Sequence, residues 1–275
     1  MRVAAVFPGQ GAQSVGMLAD VESRSSIVKQ RFAEASEALS FDLWQMTQDG
    51  PAEVLGQTEN TQPALLTASV ALWDVLQSER AQPFQVHAMA GHSLGEYSAL
   101  VAAGALDFET ALQLVGERSR AMQEAGEARP GAMAALIGPT DGEVIALCEQ
   151  AADAGIVVAA NFNTPGQVVV SGEREAIARL GTLASEAGVK RFVELPVSGA
   201  FHSPLMQPAA DRMQDLLRDA RIEKPSVPVI TNVSAVPVDD PNVLRADLIK
   251  QITHSVRWTE SMVVLANSGI ERAVE

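Results

Sequence analysis

The pentapeptide G-H-S-L-G at 91–95 fits the pattern G-x-S-x-G, and its neighbours constrain the fold more than any other feature of the chain. A short apolar stretch of strand length, 85–90, precedes it, and an Ala- and Leu-rich stretch with helical character, 96–103, follows it. Strand, sharp turn and helix form the context in which this pattern is a nucleophile elbow. The glycines permit a strained turn that exposes the hydroxyl of Ser93 at a helix N-terminus. The pattern predicts acyl transfer through a serine ester, against the alternative of an ordinary glycine-rich turn.

The composition favours an α/β protein. Of the 275 residues, 47% are hydrophobic but only 4% are aromatic, which suits a parallel sheet covered by helices. A single cysteine, Cys148, rules out an internal disulfide and fits a reducing compartment. No apolar run approaches the roughly 20 residues of a membrane span, and the N-terminus lacks a signal-peptide pattern. We therefore expect a cytoplasmic protein that does not enter a membrane, and the formal net charge of −14 argues against nucleic-acid binding.

The predicted elements divide the chain into a core and an insertion. In the insertion we expect a strand at 131–138, a helix at 140–155, strands at 156–161 and 167–171 joined by a turn at 163–166, a helix at 173–188 and a strand at 190–197. This βαββαβ order is the ferredoxin-like arrangement. The simplest interpretation is an α/β core formed by 1–126 and 198–275, interrupted by a small subdomain at 127–197.

Further core elements are predicted on both sides of the insertion. They are a strand at 3–7, helices at 26–40, 63–79 and 108–126, a helix from Ser203 to about 220, a strand at 227–233, helices at 244–252 and 258–268, and a strand at 271–275. Pro63 is expected in the first turn of its helix, where proline is tolerated. The last strand is expected to be buried. A buried strand without a covering helix indicates a natural protein that continues further, against the alternative that the final residues are simply a strand that ends the domain.

A serine nucleophile needs a base, and the chain has four histidines. His202 lies in a loop between a strand and a helix, where catalytic residues are concentrated, and we assign it the role of base. His87 falls within the strand before the elbow, and His254 has no special context. His92 adjoins the nucleophile and is expected to form part of the pocket wall.

No third member of a catalytic triad is evident. Asp107, Asp141 and Asp153 each fit a helix start or an exposed turn residue. A Ser–His pair oriented by a backbone carbonyl is therefore preferred to a triad with a carboxylate.

The oxyanion of a tetrahedral intermediate needs two hydrogen-bond donors. One is the backbone N–H of Leu94, the residue after the nucleophile. A second main-chain N–H can come from the loop at 9–11, which follows the first strand. Removing one such donor typically costs about 3 kcal/mol of transition-state stabilisation. The loop lacks the third glycine of a dinucleotide fingerprint, since Ser14 stands there, and no P-loop occurs, so nucleotide binding is not expected.

Arg118 lies on the apolar face of a predicted helix, four residues before Met122 and four after Leu114. A buried arginine needs an anionic partner, because burying an unpaired charge is costly. Two interpretations remain open. The partner is either a carboxylate of the protein itself or the carboxylate of a substrate, which the planar guanidinium binds in a bidentate manner.

Five segments of the chain, taken together, are characteristic of one protein family. They are F-P-G-Q-G-A-Q at 7–13, T-Q-P-A-L at 61–65, G-H-S-L-G-E-Y-S-A-L at 91–100, N-x-P-G-Q at 163–167 and G-A-F-H-S-P-L-M at 199–206. Together they resemble the malonyl-CoA:acyl-carrier-protein transacylase family, in order and through nearly all of the chain. The resemblance implies an α/β-hydrolase-like core with a parallel sheet and a ferredoxin-like insertion. Family members continue beyond the equivalent of Glu275 with a Gly-Pro-Gly segment and a final helix, so we expect this chain to be truncated.

The resemblance also implies roles for individual residues. Ser93 would be the nucleophile, His202 the base and Arg118 the clamp for a substrate carboxylate. The other implied site residues are the oxyanion donors Gln10 and Leu94, Gln251 with a main-chain carbonyl that orients the histidine, Met122 and Asn161 along the acyl and pantetheine cleft, and His92 and Phe201 in the pocket wall. The Phe201-His202 pair is similar to that of malonyl-selective members.

The expected activity is that of an [acyl-carrier-protein] S-malonyltransferase of fatty acid biosynthesis. Malonyl-CoA would acylate the serine, and the phosphopantetheine thiol of acyl carrier protein would then take the malonyl group in a ping-pong reaction. The resemblance implies no cofactor and no metal, since the CoA and phosphopantetheine thioesters are substrates, and we expect a monomer.

Three alternatives to this activity remain. The first is an acyltransferase of a polyketide or malonate decarboxylase system. The second is a serine esterase or thioesterase, against which the missing acid and Arg118 argue. The third is a subunit that docks carrier protein without chemistry, against which the presence of Ser93 and His202 argues.

Overall fold

The computed structural model describes residues 2–79, 84–197 and 199–275. The first part of the chain forms β1 (Val3–Phe7), α1 (Ala19–Glu22), α2 (Ser26–Leu39), α3 (Leu43–Asp49), α4 (Ala52–Leu55), α5 (Thr58–Ser78), β2 (Ala88–Gly91), α6 (Gly95–Ala102) and α7 (Phe108–Ala128). The middle part forms β3 (Gly131–Ile137), α8 (Asp141–Ala151), β4 (Val157–Thr164), β5 (Gln167–Glu173), α9 (Arg174–Glu186) and β6 (Arg191–Glu194). The last part forms α10 (Gln207–Asp219), β7 (Val229–Ile230), β8 (Pro237–Val238), α11 (Pro241–Gln251), α12 (Trp258–Asn267) and β9 (Arg272–Val274).

A five-stranded, mostly parallel sheet forms the centre of the α/β fold. Its strand order is β8-β7-β2-β1-β9, with β8 antiparallel at one edge. Phe7, the last residue of β1, lies opposite Gly91, the last residue of β2. Because the two strands run parallel, the loop after β1 and the turn after β2 meet at the same edge of the sheet. The carboxyl edge of a parallel sheet is where α/β proteins bind ligands.

Helices cover both faces of this sheet, as an α/β architecture requires. On one face α5, α6 and α7 contribute to a large apolar cluster in which Tyr97, Leu100 and Leu112 are fully buried. On the other face Leu265 of α12 packs in a smaller cluster with strand residues such as Ile230. No helix within the described ranges combines the length and the apolar character that crossing a membrane would need.

The middle part of the chain builds a second sheet. Its strand order is β4-β5-β3-β6, and every neighbouring pair is antiparallel. Helices α8 and α9 share with this sheet an apolar cluster of their own. The elements β3, α8, β4, β5, α9 and β6 follow one another in the predicted order. Thr140 and Glu143 begin α8 with reciprocal side-chain to backbone hydrogen bonds, which fix the helix start.

Hydrogen bonds join β4 of the second sheet to the segment of the core before α12. The Phe162 amide donates to the carbonyl of Val256 at 2.9 Å, and the Val256 amide donates to the carbonyl of Ala160 at 2.8 Å. Asn161 lies between these two bonds. This junction brings one edge of the second sheet to the candidate site.

The prediction for Pro63 was wrong, because the helix begins earlier. α5 starts at Thr58, and Pro63 lies inside it. The hydroxyl of Thr61 donates to the carbonyl of Leu55 at 2.5 Å and is buried. Tertiary contacts therefore hold the first turn of α5 in place, although the proline removes one helical hydrogen bond.

The predicted turn at 163–166 is shorter than expected. β4 continues to Thr164, so Asn163 belongs to the strand and only Pro165 and Gly166 connect β4 to β5. Gly166 has a φ of 80°, a conformation that glycine adopts without strain. Two residues are enough to connect the strands of a hairpin, so Asn163 and Thr164 can belong to β4.

Two predicted strands of the core also differ from expectation. The strand predicted at 227–233 is reduced to Val229–Ile230, because only Met89 and Ala90 of β2 pair with it. The last strand, β9, pairs with β1 as a parallel neighbour, but its residues are exposed and not buried. Its position at the sheet edge accounts for this exposure.

Candidate active site

Ser93 occupies a sharp turn between β2 and α6. Its φ is 50°, in the left-handed region that side chains disfavour. A β-carbon at Gly91 would lie 1.9 Å from the carbonyl group of Gly95, and one at Gly95 would lie 2.3 Å from the carbonyl oxygen of Phe7. Both glycines are therefore required by close approach of the backbone. The predicted strand, strained turn and helix are confirmed.

Two side chains from distant parts of the sequence bind the main chain of Ser93. The Ser93 amide donates to Oδ1 of Asn232 at 2.6 Å, and Nε2 of Gln251 donates to the Ser93 carbonyl at 3.0 Å. Nδ2 of Asn232 also donates to the carbonyl of Gly91 at 2.6 Å. A residue with an unfavourable φ persists only where its surroundings hold it, and these bonds do so.

The side chains of Ser93 and His202 are hydrogen-bonded to each other. Oγ of Ser93 lies 2.8 Å from Nε2 of His202, and Nδ1 of His202 lies 2.8 Å from the main-chain carbonyl of Gln251. A carbonyl oxygen can only accept, so Nδ1 carries the imidazole proton and Nε2 presents its lone pair to the serine. Ser93 therefore donates to His202, as a nucleophile donates to its base.

His202 is buried and electrically neutral at neutral pH. Burial, together with the positive charge of Arg118, lowers the pKa of His202 to about 3. The neutral imidazole is the form that can accept a proton, so His202 is in the form that its predicted role as base requires over the physiological pH range.

His92 and His254 lie where the sequence placed them, but His87 lies just before the strand and not within it, because pairing with β1 begins at Ala88. His87 adjoins the start of β2, and its amide donates to the carbonyl of Val3 at the end of the sheet. His254 is exposed. Nε2 of His92 lies 2.9 Å from Oδ1 of Asn163, so this ring points away from the serine and into the pocket wall.

The three aspartates considered for a triad are occupied elsewhere. Asp107 begins α7 and accepts from the amide of Thr110, and Asp141 is the first residue of α8. Asp153 faces Arg179 at 3.7 Å. The imidazole is oriented by a main-chain carbonyl instead, which supports the expected Ser–His pair.

Arg118 projects from α7 to the nucleophile. Its Nη2 donates to Oγ of Ser93 at 3.1 Å and to Oε1 of Gln251 at 2.9 Å, and its Nη1 donates to Oε1 of Gln62 at 2.5 Å. The guanidinium carbon also lies 5.8 Å from the centre of the Tyr97 ring. The two glutamines and the aromatic ring fix the orientation of the guanidinium.

The charge of Arg118 is not matched by a direct ion pair. The side chain is only 1% exposed, and none of the ion pairs in the described part of the chain includes it. Nε of Arg118 is buried and has no hydrogen-bond partner among the described residues. Burial lowers the pKa of Arg118 from its usual value. The sequence left two partners open for Arg118, a carboxylate of the protein or that of a substrate. An ion pair with a carboxylate of the protein is not observed among the described residues.

A cavity of about 160 Å³ lies over the Ser–His pair. Nine of the ten predicted site residues line it, and the tenth, Gln251, lies behind His202. The nine are Gln10, His92, Ser93, Leu94, Arg118, Met122, Asn161, Phe201 and His202. A larger cavity of about 560 Å³ runs along β1 and α5, but its lining is largely apolar and contains neither Ser93 nor His202. We therefore place the site in the smaller cavity.

The predicted oxyanion donors lie at the same cavity. Leu94 follows the nucleophile at the start of α6, and Gln10 belongs to the loop after β1. Gly9 brings that loop close to the elbow, since a β-carbon there would lie 2.5 Å from the carbonyl oxygen of His92. Among the residues that the structure describes, no three histidine, cysteine or acidic side chains gather as a metal site would need.

Three residues at the site were not predicted from the sequence. Glu96 is fully buried beneath the elbow, Asn232 binds the Ser93 amide, and Gln62 binds Arg118. Glu96 was the one with a detectable signal, because a charged residue interrupts an otherwise Ala- and Leu-rich helical stretch. Burial raises the pKa of Glu96 to about 7, despite hydrogen bonds from Asn232 and Gln251 that oppose the shift.

A serine and a neutral histidine at the carboxyl edge of a parallel sheet, with a guanidinium facing the serine, fit the class of serine-dependent acyltransferases. Residues 5–275 match the family described as acyl transferase domain. The chain belongs to the malonyl CoA-acyl carrier protein transacylase family. It is 48% identical over 270 residues to the protein of that name from Escherichia coli K12, covering 98% of this chain and 87% of that protein.

Solved structures agree with this assignment. The malonyl CoA-acyl carrier protein transacylase of Coxiella burnetii superposes with a TM-score of 0.96 at 46% identity, covering 100% of this chain and 86% of that chain. A malonyl-transacylase in complex with its type II PKS acyl carrier protein superposes with a TM-score of 0.96 at 44% identity, covering 100% of this chain and 88% of that chain.

Proposed function

We propose that the chain transfers the malonyl group from malonyl-CoA to the phosphopantetheine thiol of an acyl carrier protein and so supplies fatty acid biosynthesis. One observation carries the proposal: Oγ of Ser93 lies 2.8 Å from Nε2 of His202 and 3.1 Å from Nη2 of Arg118. The first neighbour is a proton acceptor and the second is a cation. A serine in this position can take an acyl group that itself ends in a carboxylate.

In the first half-reaction Ser93 attacks the thioester carbon of malonyl-CoA. His202 takes the hydroxyl proton at Nε2, and the new C–O bond produces a tetrahedral oxyanion. When the C–S bond breaks, His202 returns the proton to the CoA sulfur. The products are a malonyl-serine ester and CoA thiol.

The main-chain amides of Leu94 and Gln10 stabilise the oxyanion. The Leu94 amide follows the nucleophile at the start of α6, which is the usual place for one donor in an elbow. The loop of Gln10 is held against the elbow by the close approach of Gly9 to His92. Two fixed donors that need no reorganisation are the largest expected contribution to the rate.

Arg118 binds the malonyl carboxylate. Its guanidinium is buried, lacks a direct ion pair among the described residues and keeps Nε without a partner. A carboxylate in the cavity would supply the missing negative charge and accept charge-assisted hydrogen bonds. An acyl group without a carboxylate would leave that charge unmatched, which disfavours acetyl relative to malonyl.

In the second half-reaction the phosphopantetheine thiol replaces CoA. His202 takes the thiol proton, the sulfur attacks the malonyl ester, and the proton returns to Ser93 as its C–O bond breaks. Met122 and Asn161 line the cleft for the acyl and pantetheine groups, and His92 and Phe201 form its wall. The chemistry draws only on side chains, main-chain amides and the two thioesters, so we propose that no cofactor or metal takes part.

The finer architecture also belongs to the proposal. We assign residues 1–126 and 198–275 to an α/β-hydrolase-like core, supported by the elbow at the end of a parallel strand. We assign 127–197 to a ferredoxin-like small subdomain, supported by its βαββαβ order and its antiparallel sheet. Asn161 and Val169 of that segment would form one wall of the cleft. One free, buried cysteine, Cys148, fits the expected cytoplasmic location.

A polyketide carrier protein is the second candidate for the acceptor. The similar malonyl-transacylase that was solved with its type II PKS acyl carrier protein favours it. The chemistry at Ser93 is identical for both acceptors. Comparing kcat/KM for the holo forms of a fatty acid and a polyketide carrier protein distinguishes them.

The fate of the acyl group tests the proposed function. The protein is loaded with malonyl-CoA, freed of CoA by desalting, and divided between holo acyl carrier protein, apo acyl carrier protein and buffer. Intact mass should show one malonyl group on the protein, transfer to the holo carrier alone, and persistence with the apo carrier or in buffer. Loss at the same rate in buffer would indicate a hydrolase, and the absence of any adduct would contradict the ping-pong reaction.

A further inference from the structure

Glu96 lies beneath the nucleophile in a fully buried position. It is part of the first turn of α6, three residues after Ser93, and its side chain is inaccessible to solvent. Burying a carboxyl group costs free energy unless hydrogen bonds compensate for the lost water. The bonds that Glu96 makes therefore indicate why it is there.

One carboxylate oxygen of Glu96 makes all of these bonds. Oε2 accepts from the main-chain amide of Asn232 at 2.9 Å and from Nε2 of Gln251 at 2.9 Å. Oε1 is buried without a hydrogen-bond partner among the described residues. Glu96 thus joins Asn232 to Gln251 through a single atom.

Both of these partners bind the main chain of Ser93. Oδ1 of Asn232 accepts from the Ser93 amide, and Nε2 of Gln251 donates to the Ser93 carbonyl. One nitrogen of Gln251 therefore binds the nucleophile and Glu96 at the same time. The φ of 50° at Ser93 is unfavourable for a residue with a side chain, so the elbow depends on these two partners.

Gln251 extends the same network to the base. Its main-chain carbonyl accepts from Nδ1 of His202, which has an unfavourable φ of 58° of its own. We propose that Glu96 is a positioning residue: through Asn232 and Gln251 it holds Ser93 and His202 in the geometry that permits proton transfer. The proposal rests on Ser93 and His202 acting as nucleophile and base, as in the proposed function.

A second explanation would give Glu96 an electrostatic role. Arg118 donates to Oε1 of Gln251, so the glutamine side chain separates the guanidinium from the carboxylate of Glu96. In that case the rate of loading would depend on the negative charge of Glu96, and only for acyl groups that bind Arg118. The two explanations predict opposite results for two substitutions.

Glu96→Gln keeps the position and removes the charge. An amide oxygen has two lone pairs, so it can accept both bonds at the place of Oε2, and the amide nitrogen takes the place of the unpartnered Oε1. Glu96→Asp keeps the charge but is one methylene shorter, so its oxygen is withdrawn from Asn232 and Gln251. Leu100→Ala, a buried apolar truncation in the same helix, is the control for weakened packing.

The rate at which a fluorophosphonate labels Ser93 is the first measurement, because it requires neither malonyl-CoA nor carrier protein. Misplacement by about 1 Å can cost roughly 10²-fold, which sets the expected loss for Glu96→Asp. Glu96→Gln should stay within about tenfold of the wild type, since neutral acceptors make the same bonds about half as strong. Leu100→Ala should label at the wild-type rate while it remains folded.

Loading from malonyl-CoA and from acetyl-CoA is the second measurement. Glu96→Asp should lower kcat for both acyl groups by the same factor and change KM little. Three outcomes would overturn the proposal: Glu96→Asp loads at the wild-type rate, the two variants lose the same share of the loading rate, or only Glu96→Gln loads more slowly. A loss confined to malonyl would also overturn it, in favour of an effect through Arg118. If Ser93 in the wild type reacted with neither fluorophosphonate nor acyl-CoA, the proposed function would fail instead.

Discussion

Nη2 of Arg118 lies 3.1 Å from Oγ of Ser93, so the buried cation and the nucleophile are hydrogen-bonded to each other. This contact places the positive charge within reach of any short acyl group carried on the serine. It also disfavours a second positive charge on His202, whose pKa is lowered by burial and by Arg118. In the proposed function, substrate preference and the protonation state of His202 therefore depend on the same guanidinium.

Arg118→Ala should change which acyl group is preferred. Hydrogen bonds to charged groups contribute about 1.5–3 kcal/mol each, so losing the clamp should reduce malonyl loading by tenfold or more. Acetyl has no carboxylate to bind and should be loaded as well as before or better. The measurement compares malonyl and acetyl loading in wild type and variant. Equal losses for both groups would show that Arg118 supports the fold and not the substrate.

His202→Ala should slow both half-reactions. A single imidazole removes the proton from Ser93 and from the carrier thiol, and general acid–base catalysis contributes about 10²–10⁴-fold. Single-turnover loading and the discharge of preloaded protein measure the two steps separately. His254→Ala, at an exposed histidine, is the matched control and should retain both rates. Normal loading with impaired discharge would contradict a shared base.

The rate of loading should not decline around pH 6.5, the ordinary pKa of histidine. Burial and Arg118 lower the pKa of His202 to about 3, so the neutral, active form persists as the pH falls. The test is the pH dependence of loading between pH 5 and 8, over the range where the protein remains folded. A midpoint of the loading rate near pH 6.5 that is lost only in His202→Ala would assign an ordinary pKa to His202. That result would contradict the buried environment described for it.

Glu96→Gln should change how stability depends on pH. Burial raises the pKa of Glu96 to about 7 from an ordinary 4.5, so the folded state binds a proton more tightly than the unfolded state. The associated stability is complete below pH 4.5 and is lost as the pH rises through 7. Between pH 5 and 8 the wild type should lose roughly 2–3 kcal/mol relative to Glu96→Gln. Urea unfolding of both proteins at both pH values measures this difference, and parallel pH dependences would contradict it.

The features that local sequence encodes were predicted well. The elbow followed from glycines on both sides of Ser93 next to a strand and a helix, and His202 from its place between a strand and a helix. The βαββαβ order followed from periodicity and from turn residues. Each of these signals lies within a few residues of the feature that it predicts.

The features that depend on tertiary contacts were not predicted. Asn232 and Glu96 meet only because β7 lies beside β2, and nothing near Asn232 in the sequence indicates that contact. Pro63 was placed in a first turn on local preference, whereas buried contacts extend α5 back to Thr58. The partner of Arg118 stayed open for the same reason, since choosing between two anions requires knowing what surrounds the guanidinium.

Acylation of Ser93 by malonyl-CoA tests the central claim most directly. Wild type and Ser93→Ala are exposed to malonyl-CoA, analysed by intact mass and digested for peptide mapping. The account predicts a gain of one malonyl group in the wild type, located on the peptide that contains Ser93, and no gain in Ser93→Ala. A malonyl group on any other residue, or equal labelling of the Ser93→Ala protein, would contradict it.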